Sequence, residues 1–388
     1  MMHLFINSLA ASAGGGLTYI RNVLPHLAAT PDLRITVALG TNLRQEFRGF
    51  DAIDFQELEV PAARRFWYEQ SALPVIIRRS GAEVLLSTGN FALRRSPVPQ
   101  ILLSRNSIYT SPDFYRDLRA RHEYRMWLDT HFRAVMAKRS IRWADRTVAP
   151  SEAFAAELIR WTGIRVLSIP HGFDREAFTL DSSPLAPEVE EKLGAAKGSF
   201  KLLFVSHYNY YRNFETLIRA LPLLRDRLVD RTVKLLLTCK LAPGENPGAY
   251  RTETAAKLVK ALGVSGMVIE LGAIPYRQLH QLYRRADIYV TPAYTETFAH
   301  PLVEAMSCGV VVVASDLPVH REICADAALY FPTFSPEELA ARVVEVASSP
   351  DLATRLSAAG VSRSAAFSWR RHTDEMLELA RSLVGARP

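Results

Sequence analysis

Two doubly wound parallel-sheet α/β domains facing a cleft are the architecture the sequence predicts, on three observations. The chain has 388 residues, more than the roughly 250 to 300 at which a single hydrophobic core stops growing. Short apolar runs alternate with amphipathic stretches in two successive series, the pattern of a parallel sheet with helices on both faces. Between the series, residues 170–199 hold Pro170, Gly172, Pro184, Pro187, Gly194 and Gly198 with few long apolar runs, which reads as the interdomain connection.

The first series places strands at 3–7, 35–39, 84–87, 100–104, 147–149 and 166–169, with helices near 15–29, 67–80, 113–142 and 151–162. The second places strands at 202–206, 233–238, 268–271, 288–291, 310–315 and 328–331, with helices beginning near Asn213, Tyr250, Pro275, Pro301 and Ser335. After Phe367, Ser368 and Trp369, the periodic Met376, Leu377, Leu379, Ala380 and Leu383 describe one more amphipathic helix, able to pack across either domain. The expected divisions are 1–172, 173–366 and a terminal helix over 367–388 that crosses back to the first domain.

Composition narrows the class. Hydrophobic residues make up 48% and charged residues 22% of the chain, without low-complexity tracts or a fixed repeat, so both domains are expected to be folded. No apolar run is long enough to span a bilayer, and residues 1–13 lack the basic and apolar regions of a signal peptide. Cys239, Cys308 and Cys324 are scattered and odd in number, which supports neither a disulfide framework nor a zinc site. A cytoplasmic protein is expected.

The net charge of +7 is unevenly placed: residues 1–175 hold 23 Lys and Arg against 16 Asp and Glu, and the rest hold 24 against 24. Within 60–150, arginines interleave with Phe66, Trp67, Tyr68, Tyr109, Phe114, Tyr115, Trp127 and Phe132. Such a face suits an anionic lipid or acidic glycan surface, or is a solvated helix face; no motif accompanies it that would point to nucleic acid.

The most informative stretch runs from Ile288 through Glu296, Pro301 and Glu304 to Gly309, followed by the apolar run 310–314. It reads strand, loop, helix, strand, with Pro301 at a helix start and Gly309 just past its end. The helix N-terminus then lies at the carboxyl edge of the sheet, where doubly wound folds bind ligands. Amides at Ala299 and His300 with the helix dipole make an anion site suited to a pyrophosphate. Glu296 on the approach loop and Glu304 one turn into the helix can face one ligand, and a carboxylate accepts two hydrogen bonds from a diol such as a ribose.

This stretch resembles the Glu-x7-Glu motif of family 4 glycosyltransferases of the GT-B fold, whose usual form is near Glu-Gly-Phe-Gly-Leu-Pro-x-x-Glu-Ala-Met-Ala-x-Gly. The resemblance extends to Ile169-Pro-His171-Gly-Phe-Asp174 and to Phe367-Ser-Trp369. It implies that Glu304 holds the donor ribose, that Glu296 lies by the donor sugar, and that Thr297, Phe298, Ala299, His300 and Leu302 belong to the donor site. The two glycines of the pattern are Thr297 and Ala299 here, and its leucine is His300, so a stiffer loop is expected.

Residues 202–213 resemble the family's Gly-Arg-x5-Lys-Asn loop. Arg212 takes the Lys position, bound to the donor diphosphate, His207 takes the Arg position, and Asn213 caps the next helix. His207 carries charge only if its pKa is raised. Lys240, just after a strand, either supplies the missing charge or is a solvated loop lysine. Gly14, Gly15 and Gly16 lead from the first strand into a helix, a loop that family members use near donor and acceptor; glycine also serves tight turns. Where the family often carries a histidine near the transferred sugar, this chain has Arg105 and Asn106, so Asn106 joins Glu296 and Arg212 as a catalytic candidate. His171 is expected to order the hinge.

The resemblance implies a retaining glycosyltransferase that moves a hexose-type sugar from a UDP- or GDP-linked donor to a glycan or lipid-linked acceptor in bacterial surface polysaccharide synthesis. No cofactor beyond the nucleotide sugar is expected. No Asp-x-Asp pair is present to hold a divalent ion, so no metal is expected either. Competing readings are a sugar-nucleotide 2-epimerase and a non-catalytic nucleotide-sugar-binding scaffold. A place on the inner face of the cytoplasmic membrane would bring the enzyme to such an acceptor.

Overall fold

The computed structural model describes residues 1–11, 15–61, 64–246 and 250–385. The chain divides into two compact units, Met1–Gly172 with Ser368–Pro388, and Phe173–Phe367.

The first unit is built on seven parallel strands: β1 (Met2–Asn7), β2 (Leu33–Leu39), β3 (Ile53–Glu57), β4 (Val84–Ser87), β5 (Gln100–Leu103), β6 (Arg146–Ala149) and β7 (Leu167–Ser168). Their order is β3-β2-β1-β4-β5-β6-β7, so strand order reverses between β1 and β4. The central strands are buried on both faces, which is why they read as unbroken apolar runs. β3 was not expected: it lies at the edge of the sheet, and its Asp54 and Glu57 are exposed, so the apolar signal of a central strand is missing.

Two expected helices are broken. Residues 67–80 form Arg65–Ser71 and Leu73–Ser80, the second with Pro74 in its first turn. The expected 113–142 helix is Pro112–Ala120 followed by Tyr124–Trp143, interrupted where His122 takes a left-handed backbone with φ 57°. The terminal helix, Trp369–Gly385, packs along Gly15–Ala28 and gives Trp369, Met376, Leu377, Ala380 and Leu383 to the core of the first unit. His372 Nδ1 lies 2.9 Å from the Pro170 carbonyl and its Nε2 3.2 Å from the Tyr19 hydroxyl. Gly172 admits no side chain, because a Cβ there would stand 2.0 Å from the Trp369 amide nitrogen.

The second unit has six parallel strands: β8 (Phe200–Phe204), β9 (Val233–Leu237), β10 (Val268–Glu270), β11 (Ile288–Thr291), β12 (Val311–Ser315) and β13 (Ala328–Phe331). Their order, β10-β9-β8-β11-β12-β13, reverses between β8 and β11. Residues 173–199 belong to this unit and, where the sequence reads as connection, include helices Arg175–Thr179 and Pro187–Gly194; their short length and prolines hid them. Helices Pro318–Cys324 and Pro350–Ser364 were likewise not expected. Among the described residues no helix is long and apolar enough to cross a membrane.

Candidate functional site

The switch point of the second sheet gathers the residues singled out by sequence. Beyond the carboxyl end of β8 the chain runs through His207 to Arg212, and beyond β11 it runs through Glu296 to helix His300–Ser307. Two hydrogen bonds fasten these loops together on either side of Arg212. The Tyr294 amide donates to the Tyr211 carbonyl at 3.0 Å, and Asn213 Nδ2 donates to the Pro292 carbonyl at 3.1 Å. Buried rings hold the first loop from within: the Tyr208 hydroxyl donates to Glu215 at 2.9 Å, and the Tyr210 hydroxyl accepts from the Arg251 amide at 3.0 Å. Arg212 is thereby set against Glu296, with which it forms an ion pair that is largely buried.

Asn213 does not cap its helix as expected. Its backbone is left-handed, with φ 56°, and its side chain makes no capping bond to a backbone amide. Its amide nitrogen bridges to Pro292, and its oxygen accepts from the Thr216 hydroxyl at 2.8 Å. Asparagine is among the few residues that take this conformation readily.

Helix His300–Ser307 starts with Pro301 in its first turn and ends at Cys308, with Gly309 at φ 75° just beyond, as the sequence implied. Ala299 at its start also has a left-handed backbone, φ 61° and ψ 62°, at a position where the motif carries glycine. Glu304, on this helix, is buried, and the Tyr283 hydroxyl donates to its carboxylate at 2.9 Å. Burial pushes the Glu304 carboxyl up to about 7, against a smaller opposing effect of that hydrogen bond. Phe298 and Leu302 are core residues: Phe298 meets Phe367 edge-on with centroids 5.4 Å apart, and Leu302 is fully buried. Thr297 and His300 are half-buried, and the His300 ring lies 4.8 Å from that of Phe298.

His207 is exposed, and partial desolvation together with the charge of Arg212 lowers its pKa. The structure does not bring Lys240 to the Arg212–Glu296 pair. Lys240 follows β9 and lies 3.5 Å from Glu245, on the wall of a cavity of about 420 Å³ shared with Lys192, Ala195, Val268, Ile269 and Glu270.

Sequence reasoning missed Tyr283 and His320. Tyr283 comes from the helix Leu279–Tyr283, and nothing in the primary pattern couples it to a glutamate 21 positions on. His320 is buried, with Nδ1 2.8 Å from the Ser315 carbonyl, so that nitrogen carries the proton; burial lowers its pKa to about 4. The charge of Arg212 is a smaller contributor to the same shift.

In the first unit, Gly15 opens helix Gly15–Ala28, and Gly14 lies outside the described residues. Gly16 packs closely, since a Cβ there would come 3.2 Å from Ala11 Cα. Arg105 is half-buried, donating to the Gly15 carbonyl and the Thr88 carbonyl, each at 2.7 Å, with its guanidinium 5.2 Å from the Tyr19 ring. It therefore pins the start of the glycine turn. Asn106 uses its side-chain oxygen locally, accepting from the Ile108 amide at 3.3 Å. His171 is buried among Tyr19, Trp369 and His372, with ring centroids 5.3 to 5.4 Å away, so it orders the junction.

Two doubly wound parallel α/β units, the second with an Arg–Glu pair at its switch point, have the architecture of GT-B structures. Residues 186–363, most of the second unit, match the family described as glycosyl transferases group 1. A D-inositol 3-phosphate glycosyltransferase from Nocardiopsis dassonvillei is 27% identical over 253 residues, covering 64% of this chain and 58% of the relative. The chain thus spans a little over half the length of the curated relatives it matches. Among solved structures, sucrose-phosphate synthase from Thermosynechococcus elongatus superposes with a TM-score of 0.77 at 19% identity, over 100% of both chains. Anabaena Alr3699/HepE, solved in complex with UDP-glucose, gives a TM-score of 0.74 at 18% identity, over 99% of this chain and 100% of that one.

Proposed function

We propose that this protein is a retaining, metal-independent glycosyltransferase that moves a hexose-type sugar from a nucleoside diphosphate sugar to a glycan or lipid-linked acceptor. The observation that carries this reading is the Arg212–Glu296 pair at the sheet's switch point, beside the helix that bears Glu304. Transfer breaks the bond from the sugar C1 to the diphosphate through an oxocarbenium-like state, and negative charge builds on the departing phosphate. Arg212 is the cation for that charge, aided by the amino end of helix His300–Ser307. Glu296 faces the sugar, and Glu304 takes the ribose diol. Asn106 and the Gly15–Gly16 turn of the first unit serve the sugar and acceptor side. The similarity to relatives named as glycosyltransferases and to a fold solved with UDP-glucose supports a nucleotide-sugar donor, UDP- or GDP-linked in this proposal. The basic, aromatic first unit supports an acceptor held at an anionic membrane surface facing the cytoplasm, as in surface polysaccharide synthesis.

The test is a thermal-shift screen against UDP, GDP, dTDP, CDP and CMP with wild type and the Arg212→Ala and Glu304→Ala variants. One nucleoside diphosphate raises the wild-type midpoint and leaves both folded variants unmoved, since ligand binding to the native state raises apparent stability. No shift with any nucleotide would overturn the reading. Donor turnover that requires an acceptor separates transfer from epimerisation.

A further inference from the structure

We propose that the outer face of the helix Tyr124–Trp143 is a docking surface for an anionic lipid bilayer. A helix on a globular unit normally turns its large apolar side chains inward. This one buries Thr130, Ala134, Ala137, Ser140 and Ile141, mostly small residues. Its large apolar side chains face out: Tyr124, Leu128, Phe132 and Val135 are 57%, 62%, 63% and 50% exposed. Spacings of four, four and three residues place them within about 80° of one another around the helix axis. Arg139 and Arg142 continue the same face and are exposed.

The helix carries Arg125, Arg133, Lys138, Arg139 and Arg142 against Asp129 alone, and Asp129 is held by Arg133 at 2.7 Å. A row of large apolar side chains ending in arginines matches the boundary between acyl chains and anionic headgroups: the apolar groups enter, and the guanidinium groups stay at headgroup level. A second copy of the chain is a poorer occupant, because a two-fold pairing would set this basic helix against itself. The helix Arg65–Ser71 adds Trp67, which is 70% exposed. It stands beside the docking helix through the rings of Phe66, Phe91 and Tyr109, the last two packed against Ala134 and Ala137.

This inference deepens the reading of a membrane-held acceptor and rests on it for its purpose, but its test does not require turnover. The full chain is floated with vesicles of phosphatidylcholine alone and of phosphatidylcholine mixed with phosphatidylglycerol, at low and high salt. Wild type partitions to the mixed vesicles at low salt. The double variant Leu128→Ser, Phe132→Ser partitions roughly tenfold or more weakly, as loss of two inserted apolar groups requires. Arg139→Glu with Arg142→Glu loses the preference for the anionic lipid. Val229→Ser, which changes an exposed apolar residue of the second unit, leaves partitioning unchanged. Unchanged flotation of the serine variant, equal binding to both vesicles, or a wild type that ignores vesicles and self-associates through this face would each overturn the proposal. Nucleotide-dependent thermal shifts on the same samples keep the two readings apart: shifts without flotation sink the docking surface alone, and flotation without shifts sinks the donor site alone.

Discussion

Glu304 sits inside the second unit with the Tyr283 hydroxyl as its hydrogen-bonding partner, and burial raises its pKa to about 7. The folded state then holds its proton to higher pH than the unfolded chain does. Stability falls as pH rises from the ordinary carboxylate range through about 7 and stays reduced above it. Glu304→Gln, which keeps an acceptor for Tyr283, is expected to match wild type near pH 5 and exceed it near pH 8 by on the order of 3 kcal/mol, while losing nucleotide binding. Urea unfolding at the two pH values checks this, and equal stability at both would show that the carboxylate is solvated. Ala299 carries a different strain, a left-handed backbone that disfavours a Cβ. Ala299→Gly, which restores the motif's glycine, should raise unfolding stability by about 0.5 to 1 kcal/mol; a loss would mean that the extra freedom of the unfolded chain outweighs the strain.

Single elements also depend on contacts that no local pattern encodes. The terminal helix Trp369–Gly385 lies so near Gly172 that a Cβ there would be 2.3 Å from Trp369 Cα, and the three nearest atoms it meets are all backbone. A flexible side chain could move aside; a helix start cannot without breaking the contacts of Trp369 and His372. Gly172→Ala is therefore expected to destabilise the first unit by about 3 kcal/mol in urea unfolding, and a change near zero would mean that the junction yields. The loop from His207 to Arg212 shows the same dependence. Its motif residues were legible, but the Tyr211 and Asn213 bonds to the opposite loop that aim Arg212 come from residues 79 and more positions away. The helix Tyr124–Trp143 was legible as basic and aromatic, yet which of its rings face solvent depended on the helix Pro112–Ala120 and the turn Ser107–Tyr109 that it packs against.

On the scale of the molecule, the two units differ in how the chain builds them. Unit two is one continuous stretch with its own sheet and buried Phe367, whereas unit one is completed only by the chain's last helix. A fragment of residues 173–367 is expected to fold and to keep its nucleotide-dependent thermal shift. A fragment ending at residue 172 loses five core residues from Trp369 to Leu383 and is expected to unfold at markedly lower urea, by several kcal/mol. Circular dichroism of the two fragments measures this, and a stable 1–172 fragment would show the helix to be dispensable.

By itself the sequence determined the fold class, because central parallel strands buried on both faces must be apolar runs, and because Pro301 and Gly309 mark the ends of a helix wherever it packs. It also singled out Arg212, Glu296 and Glu304, each within a short local motif. It did not determine the edge strand β3, whose acidic residues face water, the lowered pKa of His207, or the pairing of Lys240 with Glu245. Only tertiary structure decided those points: burial, charge state and pairing depend on neighbours distant in sequence, and a residue's type does not state which neighbours it will have.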